Sequence, residues 1–121
     1  MSAVVWAAVV LIGGAGSVAR FYADAVVSAA FGRDFPLGTL MVNISGAVIL
    51  GLITGLAVGH TATLLAGTAA VGSYTTFSTW MLETQRLAEE RQYRKAMLNL
   101  VVSLLLGVAA AELGRLIGAH W

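Results

Sequence analysis

The stretch from Gly72 to Trp80 holds the densest run of groups able to do chemistry in this sequence. Five serine and threonine hydroxyls and three aromatic rings follow one glycine within nine residues. Serine and threonine compete for backbone hydrogen bonds, and glycine permits unusual dihedral angles, so this composition predicts a break in a helix. Carbonyl groups exposed at such a break can bind a cation, and hydroxyl groups can donate to an anion. The alternative is a continuous helix whose hydroxyls bond the preceding turn.

A second polar pair, Thr39 and Asn43, lies four residues apart and therefore on one face of a helix. Asn43 places an amide donor several residues inside an apolar run. In a membrane helix such an asparagine often forms a hydrogen bond to a neighbouring helix. The same amide could instead donate to an anion, and the residues alone leave both interpretations open.

The composition places these residues in a membrane protein. Of the 121 residues, 59% are hydrophobic and 11% are charged, and the mean hydropathy is +0.86. A soluble domain carries about 25% charged residues, which argues against a soluble monomer. The net charge of +1 provides no basic field for nucleic acid, so no nucleic-acid partner is expected. The lack of cysteine excludes disulfides and thiolate metal sites.

Charge-free intervals indicate the number of spans. No charged side chain precedes Arg20, and positions 35 to 82 and 96 to 111 also hold none. A membrane helix needs roughly 20 mostly apolar residues, so the central interval fits two spans and the others fit one each. The sequence predicts one all-α, four-span membrane domain over residues 1–121. Its spans are about Ala3–Arg20, Leu37–Gly59, Ala62–Glu83 and Ala96–Ile117.

The first span and the stretch that follows it add two expectations. The apolar stretch Ala25–Phe31 could form a short interfacial helix of its own. No Lys or Arg precedes the first span, so we expect it to be retained rather than cleaved as a signal peptide.

Glycines at four-residue spacing, Gly51, Gly55 and Gly59, let membrane helices approach closely. Such glycines pack within a subunit, but their excess also favours a helical partner and hence an oligomer.

Three ordered motifs resemble the Fluc family of fluoride channels, also called the CrcB family. The resemblance covers nearly the whole chain. The motifs are Gly13-Gly14 through Arg20, then Pro36-x-Gly38-Thr39-Leu40-x-Val42-Asn43, then Gly72-x-x-Thr75-Thr76-Phe77-Ser78-Thr79 with Glu83 after it. The resemblance implies a bacterial plasma-membrane channel that passively exports fluoride through two pores of an antiparallel dimer. It also implies a structural Na⁺ at the dimer centre, held by the backbone carbonyls of Gly72 and Thr75.

The resemblance also assigns roles to side chains. It implies that Arg20 lies in the vestibule of the channel. It also implies that the fluoride pore is lined by Thr39, Asn43, Phe77, Ser78, Thr79 and Trp80. Trp80 departs from the family, which usually has phenylalanine there. Its indole N–H could serve the anion, or its bulk could narrow the pore. Tyr74 also departs from the pattern, since an aliphatic residue is usual at that position.

Two other classes of membrane protein are weaker fits, and no catalytic pattern in the sequence suggests an enzyme. A small multidrug-type transporter is also a four-helix, dual-topology dimer, but it would need a carboxylate midway along the first span. No carboxylate lies between Met1 and Ala19. A non-conducting assembly subunit would explain the glycines but not the hydroxyls beside an asparagine and aromatic rings.

The distribution of Lys and Arg predicts the orientation. The first and third connections share one side, which carries Arg33, Arg86, Arg91, Arg94 and Lys95, with Arg20 at its edge, against Arg115 alone on the other side. Lys and Arg concentrate on the cytoplasmic side, so both termini should lie outside the cytoplasm. A chain that inserts one way would need an inverted paralogue to build an antiparallel dimer. The sequence leaves this heterodimer and the homodimer both open.

Overall fold

The computed structural model describes residues 2–121, which are helical almost throughout and contain no strand. The elements are α1 (Ala3–Phe31), α2 (Leu37–Leu56), α3 (His60–Thr63), a π-helix (Leu64–Val71), α4 (Gly72–Tyr74), α5 (Ser78–Glu89) and α6 (Tyr93–Ala119). Three of these helices, α1, α2 and α6, are long and apolar enough to cross a membrane.

Helix α1 extends 11 residues beyond the predicted end of the first span at Arg20. Ser2 caps its start by accepting a hydrogen bond from the Val5 N–H at 3.2 Å. Between Arg20 and Gly32 the sequence has no glycine or proline, so the helix continues to Gly32, which has φ of 80° and ends it. The apolar stretch Ala25–Phe31 therefore forms the last turns of α1 and not a separate interfacial helix.

Helices α2 and α6 pack closely through glycines on both sides of their interface. A Cβ added at Gly51 would lie within 3 Å of the Ala111 carbonyl group, and one at Gly114 would lie 2.8 Å from the Leu52 nitrogen. Such close approach of two backbones requires glycine. These glycines therefore pack within the chain, whereas a Cβ at Gly107 would meet no atom within 4 Å.

The segment from His60 to Glu89 is a series of short helices. A π-helix precedes α4, and α4 ends at Thr75, whose φ of −81° and ψ of 161° are extended. The chain becomes helical again at Ser78. The structure thus contains the helix break that the composition of Gly72–Trp80 predicts, at positions 75 to 77.

The first and third connections lie side by side. Lys95 Nζ donates to Asp34 Oδ2 at 2.8 Å, and Arg86 Nη2 donates to the Arg33 carbonyl oxygen at 3.3 Å. The hydrogen bond from Lys95 lowers the pKa of Asp34 below its usual value. This arrangement confirms that the two most basic connections share one side of the molecule.

Candidate functional site

The helix break is held by the side chain of Asn43 on α2. Its Nδ2 donates to the Thr76 carbonyl oxygen at 2.9 Å, and its Oδ1 accepts from the Thr76 N–H at 2.8 Å. In a continuous helix the Thr76 N–H would instead bond the carbonyl four residues earlier, that of Gly72. The Asn43 side chain therefore provides hydrogen-bond partners for the Thr76 N–H and carbonyl groups, in place of the helical partner that the break removes.

The break leaves backbone oxygens available for a ligand. The Thr76 N–H is diverted from the Gly72 carbonyl, and no donor among residues 2–121 reaches the Thr75 carbonyl. The Thr75 hydroxyl donates to the Val71 carbonyl at 3.1 Å, so it does not act as a donor to the Gly72 or Thr75 carbonyl. Unpaired carbonyl oxygens are suitable ligands for a hard monovalent cation, so this donor set fits the expected Na⁺.

An open cleft of 520 Å³ lies against the break. Its lining includes Asn43, Gly72, Thr75, Phe77 and Trp80. The other lining residues are apolar or glycine except for three further threonines, so hydroxyl and amide groups are the polar groups of this cleft. Five of the predicted site residues therefore meet in one cavity.

The two aromatic rings of this cleft contact each other edge to face. The ring centroids of Phe77 and Trp80 are 5.6 Å apart and their planes are inclined at 83°. Phe77 is 70% exposed in the single chain. The Trp80 Nε1–H donates to the Asn99 carbonyl oxygen at 3.0 Å, so the indole N–H already has an acceptor.

Asn99 on α6 is a polar residue that the sequence interpretation did not single out. It is 1% exposed, and its Nδ2 donates to Thr84 Oγ1 at 2.8 Å. The Thr84 hydroxyl donates in turn to the Trp80 carbonyl at 2.9 Å. The sequence did contain a signal for this residue. Like Asn43, Asn99 is an asparagine inside a charge-free interval, in this case the one between Lys95 and Glu112.

A second, smaller cavity of 190 Å³ also borders the break, at Thr76. Its lining includes Arg20, Asp24, Thr39 and Thr79. Arg20 lies within α1 and not at the end of a helix.

Thr39 contributes to this cavity as a buried residue. It is 3% exposed, and its hydroxyl donates to the carboxylate of Glu83. The Thr39 hydroxyl hydrogen is therefore taken by a carboxylate in the structure.

The structure thus divides the predicted pore residues between two cavities. Asn43, Phe77 and Trp80 line the larger one, whereas Thr39, Thr79 and the predicted vestibule residue Arg20 line the smaller one. Ser78, the first residue of α5, is exposed and lines neither cavity. Thr76, which was not among the predicted pore residues, lines both.

These features define an all-helical, multi-pass membrane protein with a polar helix break beside an open cleft. The chain belongs to the CrcB family, since the family model described as "CrcB-like protein, Camphor Resistance (CrcB)" matches residues 7–115. This confirms the family predicted from the three sequence motifs.

Curated relatives agree with this membership. The chain is 63% identical over 111 residues to "Fluoride-specific ion channel FluC 2" of Mycolicibacterium paratuberculosis, covering 92% of this chain and 91% of the relative. It is 57% identical over 115 residues to the FluC 2 of Mycobacterium tuberculosis, covering 95% and 91%. It is 43% identical over 122 residues to the FluC 1 of Leifsonia xyli, covering 98% and 89%. The family comprises ion channels and not enzymes, and the chain is a cell-membrane protein.

Proposed function

We propose that this chain is the subunit of a fluoride-selective channel that passively exports cytoplasmic fluoride. Hydrogen fluoride enters a cell as a neutral molecule and ionises in a less acidic cytoplasm, so a passive pore is sufficient to drain the anion. The relatives' names support fluoride as the ion. The observation that carries the proposal is the Asn43-held helix break, which borders an open cleft inside an apolar protein.

Fluoride needs close, directed donors because burying a bare anion is costly unless it is hydrogen-bonded. An asparagine amide has two N–H groups, and Asn43 uses one of them on the Thr76 carbonyl. The second amide N–H is the donor that we assign to the anion. None of these donors carries a fixed positive charge that would trap the anion.

The aromatic pair contributes differently to the proposed pore. The edge of an aromatic ring is electropositive, so the exposed Phe77 ring can face an anion edge-on. Trp80 supports that ring from the side, with its N–H already bonded to Asn99. The Thr79 hydroxyl continues the path for the anion in the smaller cavity, with Arg20 and Thr39 at the vestibule end. Ser78, exposed in the single chain, would meet the anion where a second subunit covers it.

The proposed assembly is an antiparallel dimer with two pores, embedded in membrane lipid. A single chain leaves the cleft open and Phe77 exposed, which is consistent with a second subunit completing the pore. The partner is either a second copy of this chain or an inverted paralogue. The strong charge asymmetry between the two sides supports the paralogue.

A structural Na⁺ at the dimer centre is part of the proposal. The carbonyl oxygens of Gly72 and Thr75 from both subunits would hold it. When bound, the ion supplies positive potential near the pores. The decisive measurement is a high-resolution dimer structure. Density at the dimer axis with several oxygens at sodium-like distances supports the site, and a continuous, fully hydrogen-bonded third span removes it.

Anion efflux from liposomes tests the channel function. Purified protein is reconstituted into vesicles loaded with either fluoride or chloride, and external anion is followed by an ion-selective electrode. Fast fluoride efflux with little chloride efflux supports the proposal. Proton-coupled substrate uptake without fluoride efflux would indicate the multidrug-type transporter. A dimer that moves neither anion would indicate a non-conducting assembly subunit.

A further inference from the structure

Thr76 is the residue that lines both cavities beside the break. The larger cavity carries Asn43, Phe77 and Trp80, and the smaller one carries Thr79. Thr76 itself is buried, with 9% of its surface exposed. Among residues 2–121, Thr76 is the only residue that the two linings share, so it lies where the two cavities adjoin.

The backbone of Thr76 is fully occupied, but its hydroxyl is not. Asn43 pairs with both its N–H and its carbonyl. The Thr76 Oγ1 accepts a hydrogen bond from the Thr79 N–H at 3.2 Å and so caps the start of α5. No acceptor for the Thr76 hydroxyl hydrogen is found among residues 2–121, although the side chain is nine-tenths buried.

The hydroxyls of Ser73 and Thr79 also show no acceptor among residues 2–121, but both residues are less buried than Thr76. Three other nearby hydroxyls differ from Thr76 in this respect. The hydroxyl of Thr39 donates to Glu83, that of Thr75 to the Val71 carbonyl, and that of Ser45 to the Val42 carbonyl. Their hydrogens are already used within the protein. A buried donor without an acceptor is rare in folded proteins and calls for an explanation.

We propose that the Thr76 hydroxyl donates a hydrogen bond to the anion as it crosses between the two cavities. This rests on the proposed channel function. The hydrogen bond from the Thr79 N–H fixes the position of the Thr76 hydroxyl oxygen. The O–H group can still rotate toward either cavity. A hydrogen bond to an ion is about twice as strong as a neutral one, so this single donor can select a small, strongly accepting anion.

The first test compares Thr76→Val and Thr76→Ser in the liposome assay. Valine keeps the size and removes the hydroxyl, so fluoride efflux should fall about tenfold or more, the value of one hydrogen bond to an ion. Serine keeps the hydroxyl and should restore most of the efflux. Ser45→Ala is the matched control, because the Ser45 hydroxyl hydrogen is bonded to the Val42 carbonyl and the residue lines neither cavity.

A second pair separates the donor from the helix cap. Thr76→Asn and Thr76→Asp both keep an oxygen that can accept from the Thr79 N–H, but only asparagine has N–H groups to donate. Aspartate also adds a negative charge, which repels the anion and is costly to bury, so its efflux and melting temperature should both be lower. The asparagine variant should conduct several-fold faster than the aspartate variant and also faster than the uncharged Thr76→Val, which separates the donor from the charge. Equal efflux of the asparagine and aspartate variants counts against the donor even where the valine variant does not fold.

The outcomes distinguish this inference from the channel function itself. If wild-type vesicles release no fluoride, the proposed function fails and this inference fails with it. If the wild type conducts while Thr76→Val conducts equally well, or while the asparagine and aspartate variants conduct equally, Thr76 is only a structural cap and the channel proposal stands.

Discussion

Asn43 and Thr76 exchange two hydrogen bonds across 33 positions of sequence, at 2.9 and 2.8 Å. The side-chain amide thus pairs with both backbone groups of one residue, as a residue of a neighbouring β-strand would. Both interpretations of Asn43 from the sequence are therefore compatible, because one N–H holds the break and no acceptor is found for the other among residues 2–121.

Asn43→Asp should suppress fluoride efflux by at least tenfold. Aspartate keeps an acceptor for the Thr76 N–H but removes the donor to the Thr76 carbonyl, and it adds a charge that repels the anion. A carbonyl left without its donor costs about 1–3 kcal/mol, so the melting temperature should fall as well. Efflux and thermal unfolding in detergent measure the two effects. Undiminished efflux would exclude Asn43 from the pore.

Phe77→Ile should reduce efflux sharply, because isoleucine keeps the bulk but lacks an electropositive ring edge. Phe77→Tyr keeps the ring and should have a milder effect. Phe31→Ile is the matched control, since Phe31 is equally exposed but lies at the end of α1, away from both cavities. If the isoleucine variant conducts like wild type, Phe77 only packs.

Trp80→Phe should conduct at a rate similar to wild type. The indole N–H is bonded to the Asn99 carbonyl, so its removal takes no donor from the anion. Loss of that hydrogen bond should lower stability by about 1 kcal/mol. A large loss of efflux with unchanged stability would mean that the indole N–H serves the anion. Trp80→Ile, which also removes the ring that contacts Phe77, should lower efflux.

Gly114→Ala should destabilise the protein, and Gly107→Ala should not. A Cβ at Gly114 would meet the backbone of Val48 and Leu52 on α2, whereas a Cβ at Gly107 has open space. Overpacking typically costs about 1–3 kcal/mol, and alanine otherwise favours a helix over glycine. Equilibrium unfolding in detergent compares the two. Equal stability of the two variants would contradict the close packing of α2 on α6.

The charge asymmetry predicts one-way insertion with both termini outside. Arg20 lies inside α1, and leaving it out of the count still gives five basic residues against one. Because Lys95 and Arg86 bond residues of the first connection, the basic residues of both connections lie on the same side. A single cysteine introduced as Ser2→Cys should be labelled only from outside in cells expressing this chain alone. Equal labelling from both sides would mean dual insertion and would remove the support for a paralogous partner.

The sequence by itself determined the membrane class, the family and the position of the helix break. Each depends on local composition: charge-free intervals, motif residues, and the hydroxyl-rich stretch after Gly72. Hydrophobic intervals locate helices in lipid, and residues that compete for backbone hydrogen bonds interrupt them.

Only the tertiary structure decided which groups pair with each other. It joined Asn43 to Thr76, Thr39 to Glu83 and the Trp80 indole to Asn99, pairs that lie 19 to 44 positions apart. These pairings depend on how far each helix extends and which face it turns to its neighbours, and periodicity does not encode either. The number of donors left for an anion is therefore a property of the packed structure, where each donor inside lipid either finds an acceptor or remains for a ligand.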